Sequence, residues 1–159
     1  MIVALFIGLF LSVPAASQME RLGPNDTFHA AQLTEKEAEE LVRQVQDSSF
    51  DTADDWQSEL RVRRVDLGHS PGIIIQGTKL LCGATGNCQT WVFRKLDDRW
   101  ISLFPIDKVP IVEGFHIESG VRHGIRDFKV VANFSAESER TITYHFDGKF
   151  YRPEVVHQR

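Results

Sequence analysis

The chain has 159 residues, enough for one domain with a true hydrophobic core. Its 22 acidic and 18 basic side chains leave a formal charge of −4. That balance excludes the basic footprint of a nucleic-acid binder or of a protein drawn to anionic membrane, and two cysteines exclude a multi-disulfide scaffold.

Residues Ile2 to Leu11 are nearly all apolar, and Pro14-Ala15-Ala16-Ser17 supplies small residues suited to cleavage. This pattern predicts a signal peptide over residues 1–17, although no Lys or Arg precedes the apolar run. The run is too short to anchor in a bilayer, so a periplasmic or secreted protein with no membrane anchor after cleavage is expected. Residues 18–32, polar and containing Gly23-Pro24, read as a flexible leader before a single β-rich domain at 33–159. Thr34 and Glu37 form a capping box. Ala38, Leu41, Val42 and Val45 then recur at helical spacing, which predicts an amphipathic helix over about 34–47. The acidic stretch 50–58 carries Phe50 and Trp56 as anchors, and its aspartates do not match a calcium loop.

From Glu59 onward the pattern is β. Strands are predicted at Leu60–Leu67, Ile73–Ile75, Gln89–Lys95, Arg99–Phe104, Val112–Glu118, Asp127–Phe134 and Thr141–Phe146. Arg61, Arg63 and Arg64 read as a solvated strand face. Asp97-Asp98 marks one hairpin, and Asp147-Gly148 predicts a two-residue type I′ turn that sets Tyr144 opposite Tyr151. A faint repeat aligns Thr90-Trp91-Val92-Phe93 with Thr143-Tyr144-His145-Phe146, each preceded by an apolar strand. The fold class is therefore mainly β (α+β): one N-terminal helix packed on an antiparallel, two-repeat curved sheet or sandwich of about seven strands.

Cys82 and Cys88 bracket a turn containing Gly83 and Gly86. The short loop, the glycines and the export signal together predict a Cys82–Cys88 disulfide. A structural zinc site normally takes four ligands, and no second pair lies nearby. The string Cys82-Gly83-Ala84-Thr85-Gly86-Asn87-Cys88-Gln89-Thr90-Trp91-Val92-Phe93 resembles a C-G-x-x-G-N-C-x-x-W-V-F motif of small exported bacterial proteins. Two weaker segments of that family are matched by Gly124-Ile125-Arg126-Asp127 and by the hairpin from Tyr144 to Tyr151. The resemblance spans about 72–152 and implies export and a β fold; it brings no reaction and no catalytic residues.

Ser119, His123 and Asp127 are the residue types of a hydrolytic triad. They sit in one Gly-rich stretch with no nucleophile elbow, so no catalytic residue is assigned. His116 and Glu118 share a strand face that His123 could approach, but no fourth ligand is evident and neither metal nor cofactor is expected. Ser119, Gly120, Arg122 and His123 are taken as binding residues on a polar connection. The leading expectation is an exported, non-enzymatic binding or envelope-associated module whose partner is a protein or envelope component rather than nucleic acid. One alternative is an inhibitor of an exogenous hydrolase such as lysozyme, because some exported inhibitors present a Ser-Gly loop. The other is a small hydrolase using His116, Glu118 or His123.

Overall fold

The computed structural model describes residues 19–49, 53–135 and 138–154. The expected signal segment at 1–17 and the Phe50 anchor lie outside the described residues. One helix and two antiparallel sheets form three layers. Helix α1 (Glu35–Ser48) begins at Thr34, whose hydroxyl accepts from the Glu37 amide while the Glu37 carboxylate accepts from the Thr34 amide. The helix buries Ala38, Leu41 and Val45, the stripe its spacing predicts, with Val42 packed at the margin.

The first sheet runs β1 (Leu60–Asp66), β2 (Pro71–Gly77), β3 (Cys88–Leu96) and β4 (Arg99–Ser102), with the short β5 (Ile111–Val112) paired to β3. The second runs β6 (Gly114–Arg122), β7 (Ile125–Ser135), β8 (Ser138–Phe146) and β9 (Tyr151–Pro153). Strands alternate their faces, and here the alternation divides the core in two. Ile73, Ile75, Trp91, Phe93 and Trp100 pack under the helix. Ile74, Val92, Leu103 and Phe104 pack against Phe115, Phe128, Val130 and Phe146 of the second sheet.

The faint repeat has a structural counterpart. Ile75 pairs with Trp91, and Phe128 pairs with Tyr144, so one offset of 53 residues relates both members of both pairs. In each meander the aromatic face, Trp91 and Phe93 or Tyr144 and Phe146, looks toward the layer that precedes it in the chain. That layer is α1 for the first sheet and the first sheet for the second. The opposite face carries Ile74 and Val92 in the first copy and Asp127 and His145 in the second.

Several local expectations change. Among the described residues there are nine strands where about seven are expected, because β5 and β9 are too short to register as periodic runs. The two-residue hairpin is Asp97-Asp98, both at positive φ, with Leu96 paired to Arg99. Asp147 instead opens a four-residue loop: its carboxylate accepts the Lys149 and Phe150 amides, and Tyr151 pairs with Phe146 rather than Tyr144. Residues 19–32 do not behave as a leader. Glu20 bridges Phe115, Leu22 and Ala31 are buried, and the Val62 amide donates to the Asp26 carbonyl. Arg63, expected to face solvent, holds Asp26 and Glu20, which ties this segment across the edges of β1 and β6. The free edge of β4 is closed from the other side: Gln44 donates to the Trp100 carbonyl and Glu40 accepts from its amide. Both devices block edge-to-edge pairing.

Candidate functional site

Cys82 and Cys88 form a disulfide across an antiparallel bridge. The turn between them closes through Gly83 N–H to the Asn87 carbonyl and Gly86 N–H to the Gly83 carbonyl, with Gly86 at φ +82°. Asn87 is buried, and its side-chain amide meets the backbone of Asn133 twice, donating to the carbonyl and accepting from the N–H. The turn therefore staples the first sheet to β7 through Asn87, while Gly83, Ala84 and Thr85 are exposed.

The second sheet has a core-facing side and an outer side. On the outer side Asp127 (7 % exposed) stands beside His145, with Oδ2 3.0 Å from His145 Nδ1 and 3.5 Å from Arg122 Nε. The other imidazole nitrogen of His145, Nε2, lies 3.1 Å from Glu154 Oε2, just past β9. Asp127 Oδ1 and His145 Nδ1 are both buried without a hydrogen-bond partner of good geometry among the described residues, so Asp127 meets Arg122 and, when it is protonated, His145 as ion-pair contacts at Oδ2. Asp127, with Glu154 adding to it, raises the His145 pKa above its ordinary value against the opposing pull of burial. Gly120 lies over this carboxylate: a Cβ there would come within 3.0 Å of Asp127 Oδ2. The pairing register of β6 and β7 shifts between Ile117 and Val121, which brings Gly120 to that position.

The residues expected to bind are thus not on a loop. Ser119, Gly120 and Arg122 are exposed positions of β6 itself, and only His123 and Gly124 form the turn, both at positive φ. Gly120 and Arg122 meet at Asp127. His123 sits at the hairpin tip, near Gly148. Of the expected hydrolase set, Glu118 is 3.7 Å from Lys129, and His116 lines a separate open cleft of about 520 Å³ with Met19, Glu20, Arg21 and Arg63. The three are not brought to one point. Among the described residues no group of three or more His, Cys, Asp and Glu is arranged to hold a metal ion. The histidine that Asp127 engages is His145, which sequence reading passed over. Its signal lay in the repeat, where a charged type stands where the first copy has Val92.

The expected anchor Trp56 packs at the margin of the cluster under the helix, and Phe115 is fully in the core. An apolar hollow of about 290 Å³ lies between the end of α1, Ile101, Ile106 and Phe150. No helix among the described residues is long and apolar enough to cross a membrane. No protein-family model matches the chain, and neither the curated proteins nor the solved structures contain a significant match to it.

Proposed function

We propose that the protein is an exported, non-enzymatic binding module and that its recognition surface is the outer face of the second sheet. One observation carries this reading. The position that holds a buried apolar pair in the first meander, Ile74 and Val92, holds Asp127 and His145 in the second. Half-buried charges are costly on a face that does nothing, and here a buried carboxylate orders a histidine and an arginine toward solvent. The export half of the reading is supported by the disulfide, by the apolar N-terminal run and by the resemblance of the Cys82–Cys88 segment to small exported proteins. The partner is a protein or envelope component.

The test uses a photo-crosslinking residue placed at Thr143 on the outer face and, separately, at Glu39 on the exposed face of α1, in the producing cell. A discrete adduct from position 143 and none from 39 is expected. Equal labelling from both positions, or hydrolytic activity that disappears in His145→Ala, overturns the reading.

A further inference from the structure

The outer-face cluster has the makings of a ligand site that is already filled from within the chain. We infer that His145 and Arg122 form a carboxylate-binding site, that Glu154 occupies it as a tethered stand-in, and that the ligand is a carboxylate which displaces Glu154. This rests on the outer face being the recognition surface and adds the chemistry of what is recognised.

Three observations support it. First, Asp127 binds both cations through one oxygen, Oδ2, which keeps the imidazole and the guanidinium within a side chain's width of each other. A carboxylate that is buried and immobile can orient two donors outward without itself reaching the ligand. Secondly, a carboxylate is seen on the site: Glu154 Oε2 lies 3.1 Å from His145 Nε2. Its backbone is anchored independently, since the Glu154 N–H donates to the Thr143 carbonyl, so the side chain can leave without unpairing the strand. The Glu154 side chain is 60 % exposed, and an ion pair so open to water is weakly held. Thirdly, Arg122 is 56 % exposed and its nearest approach to Asp127 is through Nε, at 3.5 Å, so a largely solvated guanidinium stands beside the imidazole. A guanidinium fork is the geometry that takes a carboxylate through two parallel hydrogen bonds. A ligand reaching both His145 and Arg122 gains contacts that Glu154, held on His145, does not make.

Gly120 completes the site by omission. Any side chain there would crowd Asp127 Oδ2 from the β6 side. The remaining charges around His145 are accounted for. Arg152, opposite it on β9, is held by Asp147 at 2.7 Å, and Lys129 on β7 faces Glu118 on β6. With Glu154 swung away, the uncompensated charge left near the cluster is positive. Because Asp127 lies 3.0 Å from Nδ1 and an incoming carboxylate would sit at Nε2, the site favours the imidazolium, and affinity falls as pH rises past the titration of His145.

The experiment is a titration of the full mature chain with succinate, and in parallel with inorganic phosphate, followed by the imidazole resonances of His145 at pH 5.5 and 8.5. The wild type, Glu154→Gln and Arg122→Gln are compared. Succinate is expected to bind Glu154→Gln about threefold more tightly than wild type, because a weakly held tethered occupant that fills the site roughly two-thirds of the time lowers the apparent affinity by that factor. Arg122→Gln should abolish the gain when added to Glu154→Gln, and binding should weaken at pH 8.5. Arg122 and Glu154 are both exposed, so these variants keep the fold. Equal affinity in wild type and Glu154→Gln, or indifference to Arg122→Gln, overturns the proposal. Tighter binding of phosphate than of succinate overturns the carboxylate assignment. If succinate fails while the adduct at position 143 still forms, the ligand chemistry is wrong and the recognition surface stands.

Discussion

Asp127 Oδ2 and His145 Nδ1 lie 3.0 Å apart on adjacent strands, one step beyond the Phe128–Tyr144 pair. The buried carboxylate raises the histidine's pKa, and this sets a sign for the pH dependence of stability. A group held above its unfolded value near 6.5 contributes stability that is fully present below that value and lost as pH rises through the folded value. The His145 contribution to wild-type stability should therefore decline from about pH 6.5 upward, and the decline should flatten in Asp127→Asn, where His145 titrates lower. Urea unfolding across pH, with an NMR titration of His145, checks both. A His145 that titrates unchanged in Asp127→Asn would show that the carboxylate is not the cause.

Glu37 gives the opposite sign. The Thr34 backbone N–H, then Lys95 at 2.9 Å, hold its carboxyl down to about 2. Its contribution is present above the usual value of 4.5 and lost as pH falls through about 2. Glu37→Gln keeps the size and a capping oxygen but removes the charge. It should cost about 2 kcal/mol at pH 7, and the gap to wild type should close between pH 4.5 and 2. A gap that stays constant down to pH 2 would place the loss in packing instead.

The Asn87 staple allows a comparison with the disulfide beside it. Asn87→Ala leaves a backbone N–H and a carbonyl of Asn133 without their partners, which should cost about 1–3 kcal/mol. Replacing both cysteines by serine opens only a short loop and should cost a similar amount, about 1–3 kcal/mol, with the β fold intact. Amide exchange separates them. The Asn133 N–H should lose protection fully in Asn87→Ala and only partly in the double serine variant.

On the helix, Leu41→Asp should destabilise by about 2–4 kcal/mol, since Leu41 is fully buried under the first sheet. Glu39→Ala, on the exposed side, should stay within about 0.5 kcal/mol. Equal losses in denaturant unfolding would mean that the buried face is misassigned.

Features encoded over a few residues were legible in the sequence. The Thr34–Glu37 box, the stripe through Leu41 and Val45, the cysteine turn and the 53-residue echo are all local patterns, and each has its structural counterpart. What was not legible depends on register between strands far apart in sequence. Nothing near Glu37 announces Lys95 or Trp100, both of which its carboxylate meets. Asp127 stood in a motif and His145 in a repeat, yet no local spacing says that they touch. The stretch Ser119–Arg122 reads as a loop because its glycine and charges lack alternation. It is a strand because β7 holds it, with a bulge that only the partner strand can define. The turn at Asp147 failed for a further reason: its carboxylate takes two amides of its own loop, which favours four residues over two.

The shared offset between the two meanders implies a direction of growth. Each sheet turns its aromatic side back toward the preceding layer, so the arrangement is head-to-tail and has no symmetry that would close it on itself. Such contacts, if sticky at the free end, add copies without limit. Asp127 and His145 occupy the rungs where Ile74 and Val92 would offer the next subunit a dry surface. The ionic pair is thus also a terminator. A chain carrying Asp127→Ile with His145→Val should associate more readily than wild type as its concentration rises, a change visible by light scattering.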